Sequence, residues 1–410
     1  MIFKTYSFNK IQYHSLCEQS FSTLSKPLNK WRKDFILDVL WLILSIQGKI
    51  NFLQLARYGK YGEQHYRSQF SKKFDFLGFN SSIVHQHCSE NTVIAFDPSY
   101  IPKSGKKTAG AGYFWSGCSS RALWGLEIGG IAAVDIDNHT ALHLEAVQTM
   151  VKDNQTLLDY YAHVLIERKD ELQKISNTVV ADAYFSKAPF IKALTQAGLE
   201  VVSRFRDDVR LTYIIEPVKT GKQGRPKTIG QAVDINQPDM RYFKLEEQEN
   251  QDVQIFSAEV KAVALKRKVK VCVVRFLENG KVKDTKIFFS TDLKADGIQI
   301  WKTYRSRFQI EFLYRDAKQH TGLTNCQARD ENKLHFHFNA SLTAVNIAKI
   351  VHWFSIPKQE REPFSMRDIK IVNHNTLLLE KFFAMYGINP NILKNKQKVK
   401  ELLCYGTKAA

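Results

Sequence analysis

Apolar positions recur along this chain with two different periods, and the places where the period changes divide it into regions. Through about residue 85 the spacing is helical. Phe35–Ile46 (FILDVLWLILSI) is almost continuously apolar, broken by Asp38. It is too short to cross a bilayer, so the pattern predicts a buried helix. A turn-prone stretch, QGKINFLQLARYG, and then a polar, basic stretch, GEQHYRSQFSKKF, follow it. A buried helix, a turn and a basic amphipathic helix predict a small helical bundle. The alternative is a plain helical packing unit.

From residue 90 the period shortens. Thr92–Phe96, Leu123–Val134, Ala141–Gln148, Val179–Ala181 and Val201–Arg204 read as strands. Helices are predicted over about 154–168, with Asp153 as a candidate N-cap, and from about Lys187. Between about 206 and 295 a period near two returns at Val269–Phe276 and Lys286–Phe289. Turn signals stand at 221–227 (GKQGRPK), 236–239 (NQPD) and 278–281 (ENGK), so this region reads as a mostly β insertion. Trp301–Gln319 (WKTYRSRFQIEFLYRDAKQ) returns to helical spacing as one predicted helix. Another is expected near His335–Phe354, then a Pro-containing linker, IPKQEREP. A further helix is expected near Asn375–Tyr386, then a basic amphipathic tail, NKQKVKELLC.

Composition narrows the class. With 410 residues, 44% of them hydrophobic, the chain can build a large core and more than one domain. A formal net charge of +18 and a pI near 9.4 favour an anionic polymer as partner. That charge makes the N-terminal bundle a candidate DNA-binding element of the helix-turn-helix kind, with Lys60, Arg67, Lys72 and Lys73 against phosphates. Six scattered cysteines without a CxxC pair argue against a zinc finger or disulfide framework, and fit a reducing cytoplasm. No signal peptide is expected.

The candidate chemistry lies on the 301–319 helix. Tyr304, Arg307, Glu311 and Lys318 fall within an arc of roughly 60° on a regular helix, over about 20 Å of its length, with Arg315 nearly in line. A carboxylate between cations is poor core design. It suits a metal ion held beside a phosphate backbone, although a solvated face with incidental salt bridges would show the same pattern. Asp97 (NTVIAFDPSYIPKSG) and Asp182 (NTVVADAYFSK) each stand at the predicted C-terminal end of a strand. A lone strand-end Asp is most often a cap or turn former. Two of them ahead of a helix-borne Glu supply the hard oxygen ligands that a two-metal phosphoryl-transfer site needs. Other features carry less. SGKKT at 104–108 lacks the upstream Gly of a phosphate-binding loop, and GAGYFW lacks the third Gly of a dinucleotide turn. His335 and His337 read as surface residues, and Asp135 and Asp137 as edge or turn acids.

These residues resemble the DDE-type transposases of bacterial insertion sequences. Tyr304, Arg307, Glu311 and Lys318 match the Tyr-(2)-Arg-(3)-Glu-(6)-Lys signature of the group named after insertion sequence four, and Asp97 and Asp182 resemble its two Asp motifs. The resemblance spans about residues 90–350. It implies an RNase H-like α/β core, a mixed sheet with helices on both faces, interrupted by a β insertion. The organisation expected is a helical DNA-binding domain (1–85), the first part of the core (90–205), a basic β-rich insertion (206–295), the second part of the core with its Glu-bearing helix (296–355), and a helical C-terminal region (356–410). Asp97, Asp182 and Glu311 would hold two Mg²⁺ ions, with Mn²⁺ able to substitute. Tyr304, Arg307 and Lys318 would contact DNA, as would Arg315, Lys103, Arg225 and Lys227. The partners implied are double-stranded DNA, both element terminal inverted repeats and target, and a second copy in a synaptic homodimer. No membrane partner is expected, and the location implied is the bacterial cytoplasm at the nucleoid. The rival readings are a nuclease of the same fold without strand transfer, and a non-catalytic DNA-binding descendant.

Overall fold

The computed structural model describes residues 8–215, 228–246, 252–390 and 392–408. Five helices open the chain: α1 (Phe8–Ser22), α2 (Lys30–Ser45), α3 (Phe52–Tyr58), α4 (Glu63–Phe70) and α5 (Phe76–His87). Next come β1 (Thr92–Pro102), β2 (Gly112–Ser116), β3 (Arg121–Asp135), β4 (Thr140–Gln148), α6 (Leu157–Ile166), α7 (Lys169–Leu172), β5 (Thr178–Val180), α8 (Ala188–Gln196) and β6 (Glu200–Arg204). The strands β7 (Leu211–Ile214), β8 (Ile229–Ala232), β9 (Lys244–Leu245), β10 (Val253–Ala262), β11 (Arg267–Glu278) and β12 (Lys281–Ser290) follow. The chain ends in α9 (Gly297–Ser306), α10 (Gln309–His320), α11 (Glu331–Ala348), α12 (Met366–Tyr386) and α13 (Leu393–Cys404).

The central strands run in the order β4-β3-β1-β5-β6. β3 is antiparallel to both β1 and β4, whereas β1, β5 and β6 are mutually parallel. This is a mixed α/β fold of the RNase H-like kind, with helices on both faces of the sheet. The strands of the insertion continue the same sheet: β12 pairs antiparallel with β6, then β11, β10, β7 and β8 follow outward. Apolar side chains of α1–α5, the sheet, and α9–α11 belong to one buried core. The N-terminal helices therefore pack onto the central sheet rather than around a separate interior.

The outer edge of β4 is closed by side chains instead of another strand. Asn339 Oδ1 accepts from the Ala146 N–H and its Nδ2 donates to the Ala146 oxygen, while Asn346 does the same for His143. Seven helical residues rise about 10.5 Å, close to the roughly 10 Å that three strand residues span, so the two amides on α11 match the spacing of the two peptide groups. Lys349 Nζ continues the seam onto Thr140 Oγ1 and the Ala141 oxygen. The exposed edge that a lone outer strand would offer is thereby satisfied.

Several local expectations change. β1 does not stop at Phe96; it pairs with β3 as far as Pro102, which places Asp97 mid-strand. The helix expected over 301–319 is two helices, and the bonds through Arg307, Phe308, Ile310 and Glu311 are of the tighter i to i−3 kind. Helix α6 is capped by Thr156 in a capping box with Asp159, not by Asp153. His337 is buried with its ring nitrogen 2.7 Å from the Gly322 oxygen, and half-buried His335 faces Glu145. Asp135 is a turn acid, fully buried and accepting bonds from Ser89 and Asn138.

Candidate active site

Asp97 is held from behind. Its main-chain oxygen accepts from the Tyr314 hydroxyl at 2.5 Å, and Tyr314 reaches it because the residue opposite Asp97 on β3 is Gly130. A Cβ there would lie 1.9 Å from the Tyr314 oxygen. Asp182 follows β5, the parallel neighbour of β1, and its Oδ1 caps the next turn by accepting from the Tyr184 N–H at 2.8 Å. Glu311 lies in the first turn of α10.

Arg307 links two of the acids. Its Nη1 donates to Asp97 Oδ1 at 3.2 Å and its Nη2 to Glu311 Oε1 at 2.9 Å. The tight turn between α9 and α10 carries Arg307, so the break in the predicted helix sets the guanidinium between β1 and Glu311. Its Nε is buried with no acceptor among the described residues. Burial opposes the charge on Arg307, but Asp97, Tyr304, Glu311 and Asp182 together raise its pKa. Burial dominates at Asp97 and pushes its carboxyl up to about 7; Asp182 and Glu311 add to the shift, while Arg307 and Lys318 oppose it. An acid lifted so far beside two other carboxylates marks a place short of positive charge.

Tyr304 is half-buried, packs its ring against Phe288 at 4.8 Å between centroids, and lies under the Arg307 guanidinium. Lys318 is half-buried, and burial lowers its pKa. Arg315 points elsewhere: it is exposed, pairs with Asp316 at 2.9 Å and stacks over Phe312. Lys103 spends two donors on the Cys326 and Ala328 oxygens, both at 2.7 Å, and so ties the end of β1 to the loop before α11. Arg225 and Lys227 lie outside the described residues.

Residues 90–347, more than half of the chain, match the family described as the transposase DDE domain. The chain belongs to that family. No curated protein matches it.

Membership makes the chain a DNA transposase, and transposases of this family generally use divalent metal ions. The donor chemistry of this transposase suits such an ion, since three carboxylate side chains on strand, turn and helix offer only hard oxygens. Among the described residues no three His, Cys, Asp or Glu side chains are yet close enough to enclose a metal; Arg307 stands between Asp97 and Glu311 as the countercharge. Two neighbours of the site escape a sequence reading. Tyr314 looks like one more core aromatic, and only the Gly130 opposite Asp97 shows why its hydroxyl is needed. Arg204 ends β6, beside the turn that carries Asp182; it is close enough to act on the Tyr304 phenol, and its Nε is buried without an acceptor among the described residues. Its position at the end of a core strand was the available signal. No helix among the described residues is long and apolar enough to cross a membrane.

Proposed function

We propose that the transposase cuts the ends of an insertion sequence and joins them to target DNA, as a member of the group with the Tyr-Arg-Glu-Lys signature. The carrying observation is that Arg307 spans Asp97 and Glu311 while half-buried Asp97 is raised to about 7. In this reading Asp97, Asp182 and Glu311 hold two Mg²⁺ ions, or Mn²⁺ in their place. Bound there, the ions would activate the attacking water or 3′-hydroxyl and stabilise the leaving oxygen.

The chain's own residues do the positioning. Tyr314 fixes the strand at Asp97. Arg307, with an unfilled buried Nε, can turn from the carboxylates to a DNA phosphate, and a planar guanidinium suits that contact. Lys318 supplies a second fixed cation further along α10, and Tyr304 a phenol at the same face. Arg315 would track the DNA backbone outside the site, and Arg225 and Lys227, beyond the described residues, would add charge against DNA phosphates. Synapsis would pair two copies, acting on DNA at the bacterial nucleoid.

The test compares Asp97→Asn, Asp182→Asn and Glu311→Gln with the unaltered protein on a DNA end, in gel shift and in Mg²⁺-dependent nicking and joining. Each variant should bind DNA and fail to nick. Nicking without joining of pre-cut ends by the unaltered protein would favour a nuclease instead. Robust nicking by any variant would remove that residue from the metal ligands.

A further inference from the structure

The hairpin of β2 and β3 carries an aromatic shelf that the chemistry at Asp97 does not use. Tyr113 and Trp115 are 73% and 63% exposed. Tyr113 pairs across the ladder with Trp124 and Trp115 with Ala122; the Tyr113 and Trp124 rings meet edge to face at 5.4 Å. Alternation along β3 fixes the direction in which they project. Asp97 pairs with Gly130, and every second residue from Gly130 back to Ala122 shares that face. Tyr113, Trp115 and Trp124 therefore project from the face that carries Asp97, Tyr314 and α10. The hairpin tip at Cys118 is within electrostatic reach of Lys318.

The surroundings are cationic. Between Asp97 and Glu127 the chain carries Lys103, Lys106, Lys107 and Arg121 and no acidic side chain. Lys106 and Lys107 are exposed, whereas Arg121, next to Ala122, projects from the opposite face of β3. The Trp124 indole donates to the Gly105 oxygen at 3.1 Å, which pins the Lys106–Lys107 loop to the hairpin.

Exposed aromatic faces with a cationic loop pinned beside them match single-stranded nucleic acid, which offers π-faces and phosphates together. A duplex hides its base faces, so the shelf suits an unpaired base. We propose that Tyr113 and Trp115 stack an unpaired base of the DNA strand leaving the cut site, with Lys106 and Lys107 on its phosphates. This rests on the DNA-cutting reading above. Six residues of β3 separate Trp124 from Gly130, about 20 Å. At the duplex spacing of about 3.4 Å per nucleotide that distance is about six nucleotides, and an extended single strand covers it in fewer.

The experiment uses the full chain, a duplex of about 20 base pairs, and the same duplex with a single-stranded arm of about eight nucleotides, within the range that stacking grooves occupy. Affinity is read by anisotropy, and stacking by the fluorescence of 2-aminopurine about six nucleotides into the arm. The arm should tighten binding and quench the probe. Trp115→Ala and Tyr113→Ala should each lose about tenfold in affinity for the armed DNA and leave plain duplex binding and melting temperature unchanged. Trp115→Phe should keep most of the gain. If the arm adds nothing, or both alanine variants keep its full effect, the stacking proposal fails while duplex binding still supports the DNA reading. If the unaltered protein binds neither DNA, both fall. A change in self-association with DNA affinity unaltered would make the shelf a protein contact and overturn the proposal.

Discussion

The hydroxyl of Tyr314 donates to the main-chain oxygen of Asp97, across a gap that exists only because Gly130 faces them both. This joins the Glu311 helix to the Asp97 strand without using either carboxylate. Gly130→Ala should therefore cost about 1–3 kcal/mol by overpacking, more than Tyr314→Phe, at about 1 kcal/mol for one hydrogen bond. Thermal or urea denaturation measures both. Tyr314→Phe in the Gly130→Ala background should recover part of the loss, because the oxygen nearest the new Cβ is gone; strict additivity would contradict the contact.

Stability without metal should fall as pH rises toward neutrality. Asp97 titrates near 7 in the folded chain, raised chiefly by burial, against about 3.9 when unfolded. A raised acid favours the folded state fully below the unfolded value and loses that contribution as pH climbs through the folded one. The decline should thus lie between about pH 4 and 7. Denaturation midpoints in a chelator, compared with Asp97→Asn, check it: the variant should flatten that part of the curve. An equally steep decline in the variant would assign it to other groups.

Arg307 and Lys318 should differ from the acids in when they act. Arg307→Ala removes a countercharge that lowers the Asp97 pKa, so any remaining nicking should shift to higher pH and weaken. Arg307→Lys keeps charge but loses the two-point span from Asp97 to Glu311, and should recover little. Lys318→Arg should be milder than Lys318→Ala, with the loss falling on joining more than on the first nick. A time course resolving nicked from joined products, with Mg²⁺ titrated, decides this. Rescue of Lys318→Ala by added Mg²⁺ would place Lys318 in metal assembly instead.

The asparagine seam on β4 should be costly to break. Asn339→Leu leaves the Ala146 N–H and C=O buried and unpaired, at a cost on the order of 3 kcal/mol. Asn346→Leu should behave alike at His143. Denaturant midpoints and amide exchange at residues 143–146 report it. Unchanged protection at Ala146 would show that the strand edge is satisfied in another way.

What the sequence by itself determined is local and periodic. The apolar runs of β3, β4, β5 and β6 lie within a residue or two of where alternation predicts them. The buried helix over Phe35–Ile46 corresponds to α2 (Lys30–Ser45), because a side chain's preference for the interior is written into its own position. The order of Asp97, Asp182 and Glu311 as candidate ligands is likewise read directly along the chain. Tertiary structure alone decided what depends on distant partners. Asp97 lies mid-strand because β3 is long enough to pair beyond it, and Phe96 holds no sign of that. The helix over 301–319 breaks at Arg307, where no Gly or Pro marks a stop, and the guanidinium there spans acids from a distant strand and the next helix. Tyr314 acquires its role from a glycine far away in sequence, and the exposed Tyr113 and Trp115 join the Asp97 face only through the register of β2 on β3. Contacts between residues so far apart in sequence leave no period to read, since neither partner's neighbours are constrained by the other.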